Sequence, residues 1–113
     1  MKEVQVYTRI KAYWSDAAFY IEVKYLPSVY TAKAWIVPSE KLHADERESL
    51  EQAVIDVFEE RLKADFKRQL EDTEEKHGFL ETSSLSKLSE RLLRYLTRAL
   101  ALYPNTKISV AID

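Results

Sequence analysis

Between Asp45 and His77 the chain contains neither proline nor glycine, and apolar residues recur there at every fourth position. This spacing predicts one helix of about 33 residues, roughly 50 Å long at ~1.5 Å per residue. A compact chain of 113 residues has a radius of gyration of only ~13 Å, so such a helix would overhang its own fold. The recurring apolar residues are Leu50, Val54, Phe58, Leu62, Phe66 and Leu70.

This apolar stripe rotates around the helix. Each step of four residues turns it by ~40°, which accumulates to roughly 200° over its length. One flat partner cannot cover all six positions, so we expect the first half to pack on a sheet and the second half to curve, kink or meet another surface. The acidic segment Asp45–Glu48 resembles a capping box at the start of the helix, and Gly78 is the natural left-handed stop.

The first 37 residues have the period-2 alternation of strands. Residues 4–11, 19–25 and 29–37 are predicted to be strands, with turns at residues 15–17 and at Pro27-Ser28. Pro38 ends the third strand because proline cannot donate a ladder hydrogen bond. These segments predict a three-stranded antiparallel meander.

A second helix is predicted to begin near Ser83 and Ser84, which are good N-cap residues. Leu93 and Leu100 widen its apolar stripe to about half the circumference, more than a helix on one layer needs. Its predicted buried stripe consists of Leu85, Leu88, Leu92, Leu96, Ala99 and Tyr103.

Pro104-Asn105 ends this helix, and residues 106–113 alternate as a closing strand. The predicted order is βββααβ in a single domain of residues 1–113. This is an α+β fold in which a helical hairpin packs on one face of a four-stranded, mainly antiparallel sheet.

Alternation assigns the aromatic residues of the strands to two faces. The predicted core face contains Val4, Val6, Ile10, Phe19, Ile21, Val23, Tyr25, Ala32, Ala34 and Ile36. The opposite face contains Tyr7, Tyr13, Tyr20 and Trp35, interleaved with Arg9, Lys11, Lys24 and Lys33. Four rings and four cations on the face away from the helices need an explanation.

Three interpretations of this face are open. The rings cover a half-exposed sheet through cross-strand pairs. Alternatively, the face or the sheet edge docks a protein or a second copy of the chain, since Tyr, Trp and Arg dominate interface hot spots. In the third interpretation, single-stranded nucleic acid stacks its bases on the rings and places its phosphates on Arg and Lys.

The second helix carries a basic stripe on the side opposite its leucines, formed by Lys87, Arg91, Arg94 and Arg98. Such a stripe is usually a solvated face whose arginines pair with neighbouring acids. Its functional alternative is a ladder for phosphates or for a partner's carboxylates.

The composition disfavours most kinds of enzyme. The chain has no cysteine and one glycine, so thiol nucleophiles, P-loops and GxSxG elbows are excluded. A zinc site would require His43 and His77 to converge with distant acids, and Glu74-x-x-His77 is only half of a di-iron pattern. We therefore predict a non-enzymatic protein with no catalytic, metal-binding or cofactor-binding residues and no cofactor.

No apolar run approaches the ~18–20 residues that span a bilayer, and the first residues have no signal-peptide core. Together with the absence of cysteine, this predicts a cytoplasmic protein without a membrane partner. The net charge of −2 combines +2 in residues 1–42, −7 in residues 43–81 and +3 in residues 82–113. The acidic middle either steers a partner or pairs internally.

The sequence therefore predicts a protein–protein interaction module, such as an adaptor, inhibitor or assembly factor. The rotating stripe and the wide leucine face further predict a homodimer. The alternative is a nucleic-acid-binding protein that uses the aromatic and basic sheet face. The candidate partner-binding residues are Tyr7, Arg9, Tyr20, Lys24, Lys33, Trp35, Arg91, Arg94 and Arg98.

Overall fold

The computed structural model describes residues 3–72 and 80–113 and confirms the βββααβ order. Its strands are β1 (Tyr7–Ser15), β2 (Ala18–Leu26), β3 (Thr31–Val37) and β4 (Lys107–Ile112). Its helices are α1 (Ala44–Asp56), a π-helical segment (Val57–Leu62), α2 (Lys63–Asp72) and α3 (Thr82–Ala99).

The four strands form one sheet in the order β1-β2-β3-β4, and every neighbouring pair is antiparallel. The predicted first turn is present at Asp16 and Ala17, where Asp16 has a φ of 54° that aspartate tolerates. β1 starts at Tyr7 and extends to Ser15, later than predicted, so Val4 and Val6 precede it. The placement of β4 beside β3 was not decided by the sequence.

The segments α1, π and α2 follow one another without a break, because Val57 and Lys63 at the two junctions keep right-handed helical dihedrals. We call residues 44–72 the long helix. The predicted end at His77 and Gly78 lies outside the described residues. A capping box is present, but two residues earlier than predicted at Asp45–Glu48: the N-cap is His43, and its backbone N–H donates to Glu46 Oε1 at 3.0 Å.

The π segment explains how a rotating stripe is buried. A π turn accommodates one more residue than an α turn, which turns the following residues back by about 100° and offsets roughly half of the drift. All six stripe residues, from Leu50 to Leu70, lie in one core cluster together with the sheet and α3. The π segment therefore turns the later stripe residues back toward the same core, and no second chain is needed to cover them.

Tyr25 of β2 connects the sheet to the π segment. Its hydroxyl donates to the backbone carbonyl of Phe58 at 2.7 Å, and its ring stacks on Phe66 with centroids 4.5 Å apart. Ile10, predicted in the core, is 37% exposed, although it faces the helices opposite the fully buried Val23. The reason is that β1 is an edge strand, which the helices cover incompletely.

α3 begins at Thr82 and ends at Ala99, so Tyr103 lies in the following turn and not on the helix as predicted. Leu88, Leu92 and Leu96 face the core, whereas Leu93 is 40% exposed. Within the described residues no helix combines the length and the apolarity needed to cross a membrane.

Candidate functional site

The helices cover one face of the sheet, and no segment within residues 3–72 or 80–113 covers the opposite face, which we call the open face. On this open face, strand register places Tyr13 opposite Tyr20 and Tyr20 opposite Trp35. The ring centroids are 5.3 Å and 5.1 Å apart, with the planes tilted by 53° and 49°. These distances and tilts are favourable for aromatic pairs. The three residues therefore form a continuous row across β1, β2 and β3, which we call the ring row.

The ring row is accessible to a partner. Tyr13 is 46% and Trp35 is 42% exposed, and Tyr7, farther along β1, is 62% exposed. Tyr20 is partly covered, and its hydroxyl donates to Glu22 Oε1 at 2.7 Å. Burial and the Glu22 carboxylate raise the pKa of Tyr20 to about 12, so its hydroxyl keeps its proton to a higher pH than an ordinary tyrosine does.

Charged side chains form two further rows beside the rings. In the nearer row Glu22 lies between Lys11 on β1 and Lys33 on β3, and Lys33 Nζ also contacts Asp113 Oδ2 at 2.9 Å. These charges alternate in sign across the strands. This row is therefore largely neutralised within the chain.

The farther row contains Arg9 and Lys24 directly opposite each other, and we call them the cation pair. Neither forms an ion pair with any residue in 3–72 or 80–113. Like charges directly opposite in a sheet are destabilising, so an external anion would be favourable here. The cation pair lies two rows from the ring row, about 13 Å along the strands.

A shallow depression of about 380 Å³ lies over the ring row. Its lining contains the three aromatic rings of the ring row and one charged side chain of each sign, Lys11 and Glu22. Exposed rings of this kind can stack on a flat side chain or on a base. The lining residues are Lys11, Tyr13, Ser15, Ala18, Tyr20, Glu22 and Trp35.

The predicted basic residues of α3 lie on the helical layer, on the far side of the sheet from the ring row. Arg91 Nη1 contacts Asp65 Oδ1 at 3.2 Å, and Asp65 also accepts hydrogen bonds from Arg68 and from the Tyr95 hydroxyl. Arg94 and Arg98 are exposed. The nine candidate residues therefore form two separate groups, and only the six on the sheet share a face.

Two features of the molecule were missed by the sequence-based set of candidates. Tyr13 belongs to the ring row. The predicted turn could have identified it, because a two-residue turn at Asp16 and Ala17 places Tyr13 opposite Tyr20. Asp65 is buried next to Phe66. The burial of Asp65 was harder to predict from the sequence, because an acidic residue beside an apolar stripe is usually exposed to solvent.

A second cleft of about 360 Å³ lies between the π segment and α3. Asp56, Glu60, Arg61 and Arg98 all line it, so it favours no single sign of ligand charge. No cluster of side chains suited to a metal ion occurs in the described ranges. The Glu74-x-x-His77 pattern lies outside them.

Comparisons of the chain with protein-family models, with curated proteins and with solved structures find no match.

Proposed function

We propose that this chain is a small protein-interaction module whose open sheet face binds an acidic protein segment that carries apolar or aromatic side chains. The observation that carries the proposal is the cation pair, Arg9 opposite Lys24, which has no acidic partner within the part of the chain that the structure describes. It lies on the same uncovered face as the ring row. An adaptor, an inhibitor or an assembly factor would each use such a face.

The exposed rings and the cation pair favour a partner that has both apolar or aromatic side chains and carboxylates. Tyrosine, tryptophan and arginine are the residue types that dominate protein interfaces, and Trp35 and Tyr13 are exposed. A carboxylate on the partner would relieve the repulsion between Arg9 and Lys24, and arginine binds carboxylates through two parallel hydrogen bonds. The strand positions of the open face together with Asp113 carry five basic and two acidic side chains, which also favours an acidic partner.

Single-stranded nucleic acid is the second candidate. It is favoured by the ring row, because bases stack on aromatic side chains regardless of sequence while cations hold the phosphates. Against it, the chain contains one glycine and therefore lacks the glycine-aromatic signature of an RNA-recognition motif. Binding to an oligonucleotide column would have to be released steeply by salt.

The test compares capture of partners from the source cell, after nuclease treatment, by the native chain and by the variant Tyr20→Ala/Trp35→Ala. The variant should lose the captured protein while remaining folded. Removing these half-exposed side chains is expected to cost about 1 kcal/mol of stability, the scale for loss of cross-strand pairs. Thermal melting followed by circular dichroism measures that cost.

Two charge reversals form a matched control. Lys24→Glu changes the open face and should weaken capture, whereas Arg94→Glu changes the helical layer and should leave capture intact. A folded Tyr20→Ala/Trp35→Ala variant that captures the partner as well as the native chain would refute the proposal. Capture that disappears on nuclease treatment would favour the nucleic-acid alternative.

A further inference from the structure

The free edge of β4 differs from other exposed edges because it carries no charge between its ends. From Ile108 to Ile112 every side chain is apolar or small, with Lys107 before this run and Asp113 after it. Natural proteins usually protect edge strands with charged side chains, bulges or proline. β1, the other edge, has this protection in Arg9 and Lys11.

The hydrogen bonds of the β3–β4 pair show which groups of β4 are available. Thr31 and Asp113 exchange both backbone hydrogen bonds, at 2.9 Å and 3.0 Å. Because such pairs alternate along an antiparallel ladder, the odd-numbered residues of β4 turn their N–H and C=O toward β3. Those of Ile108, Val110 and Ile112 therefore point outward at the free edge.

We propose that a second copy of this chain pairs its own β4 antiparallel to this edge, on a two-fold axis through Val110. The pairing opposes Val110 to Val110 and Ile108 to Ile112 of the second copy, so the outward N–H and C=O groups of all three residues are used. The side chains of these residues lie on the helix-facing side and are only half-buried in the single chain. The two sheets become one continuous sheet.

Charge selects this register. With the axis at Val110, Lys107 lies opposite Asp113 of the second copy, and the opposed charges are repeated on the other side of the axis. Moving the axis to Ser109 opposes Lys107 to Ala111 and removes both charge pairs. Because direct cross-strand pairs of opposite charge are stabilising, the Val110 register is the favoured one.

The flank of α3 above this edge is compatible with a close neighbour. Arg91 and Tyr95 face the long helix through Asp65. At 100° per residue the opposite flank therefore carries Ser86, Ser89, Leu93 and Thr97, none of them charged. A cleft of about 500 Å³, lined in part by Leu93, Leu100 and Ile108, opens on this side. Leu93, 40% exposed in the single chain, would be covered in the dimer.

The dimer is independent of what the open face binds. It would place two ring rows on the same side of one wide sheet, so a partner could be held twice. If the dimer were absent, the interaction proposed for a single open face would still stand. The measurements for the two proposals are therefore separate.

Sedimentation equilibrium from low to high micromolar concentration tests the dimer, and the native chain should show twice its monomer mass. Val110→Pro removes an outward N–H that the β3 ladder does not use, so the variant should fold and be monomeric. The matched control is Ala12→Pro on β1, whose N–H also points outward in a two-residue hairpin. It should remain a dimer. A monomeric native chain, or a folded dimeric Val110→Pro variant, overturns the proposal.

Charge exchange tests the register without proline. Lys107→Glu alone and Asp113→Lys alone each oppose like charges on both sides of the axis and should weaken dimerisation about tenfold. In a heterodimer of the two variants, the glutamate that replaces Lys107 in one copy faces the lysine that replaces Asp113 in the other. On the other side of the axis, the unchanged Lys107 faces the unchanged Asp113. Both cross-strand pairs then join opposite charges, so a mixture of the variants should recover native affinity. Single variants that dimerise like the native chain, or a mixture that recovers nothing, overturn the proposal.

Discussion

At the scale of single residues, Asp65 is the least expected feature of the molecule. It is 3% exposed, and its carboxylate accepts hydrogen bonds from Arg68 on its own helix and from Arg91 and Tyr95 on α3. Burial and the bond to Asp65 raise the pKa of Tyr95 above its ordinary value. An unpaired charge would be costly at this buried position. The carboxylate therefore holds the long helix and α3 in the one relative position in which its three hydrogen-bond donors reach it.

Asp65→Asn tests this link. The amide keeps the size of the side chain but loses the charge and brings its own N–H groups toward Arg91. We expect the free energy of unfolding to fall by about 1.5–3 kcal/mol, the scale of hydrogen bonds to charged groups. Urea denaturation measures it, with the exposed Asp56→Asn on the same helix as control. A loss no larger than that of the control would mean that Asp65 does not hold α3.

At the scale of elements, Tyr25 joins β2 to the π segment. The carbonyl of Phe58 accepts from the Lys63 N–H within the helix and from the Tyr25 hydroxyl at 2.7 Å. Burial, and to a smaller extent Glu59, raise the pKa of Tyr25 above its ordinary value. The folded chain therefore holds this proton at a pH where the unfolded chain loses it. The associated stability is complete below about pH 10 and falls as the pH rises further.

Tyr25→Phe should therefore lower the stability at neutral pH and reduce the loss of stability at alkaline pH. At neutral pH it loses one buried hydrogen bond, a cost of about 1 kcal/mol. Above about pH 10 it should lose less stability than the native chain, because its unfolded state gains no extra charge at this position. Urea denaturation across this range measures both, with the exposed Tyr7→Phe as control. A variant with the same alkaline loss as the native chain would contradict the assignment.

At the scale of the whole molecule, one core serves both layers. The chain measures 47 × 22 × 20 Å, and the long axis is comparable to the ~44 Å expected for the 29 residues of the long helix. Phe58 lies in the middle of this helix and is fully buried in the core cluster. Domains of this size have a total stability of about 5–15 kcal/mol, so one large core cavity affects the whole fold.

Phe58→Ala should lower the free energy of unfolding by about 3–5 kcal/mol, since it removes a ring and leaves a cavity that the helix cannot fill. Thermal and urea denaturation measure it, and Leu102→Ala, at a position that is 87% exposed, is the control. The control should change stability by less than about 0.5 kcal/mol. A melting temperature that barely moves in Phe58→Ala would mean that the centre of the core lies elsewhere.

Much of this architecture could be predicted from local patterns. Alternation in residues 4–37 and the four-residue step from Leu50 to Leu70 specify element type and buried face, because both follow from backbone geometry alone. The same alternation separated Trp35 and Tyr20 from the core residues Ile36 and Ile21. It therefore predicted the face that carries most of the candidate site.

What only the tertiary structure decided concerns partners distant in sequence. The π segment exists where Tyr25 meets Phe58, and Asp65 is buried because Arg91 and Tyr95 arrive from another helix. The position of β4 beside β3 creates the uncharged free edge. The spacing of apolar residues and their secondary-structure propensities indicate only which face of an element is apolar. Which other element covers that face, and which polar group it brings, depends on packing between segments that local patterns do not relate.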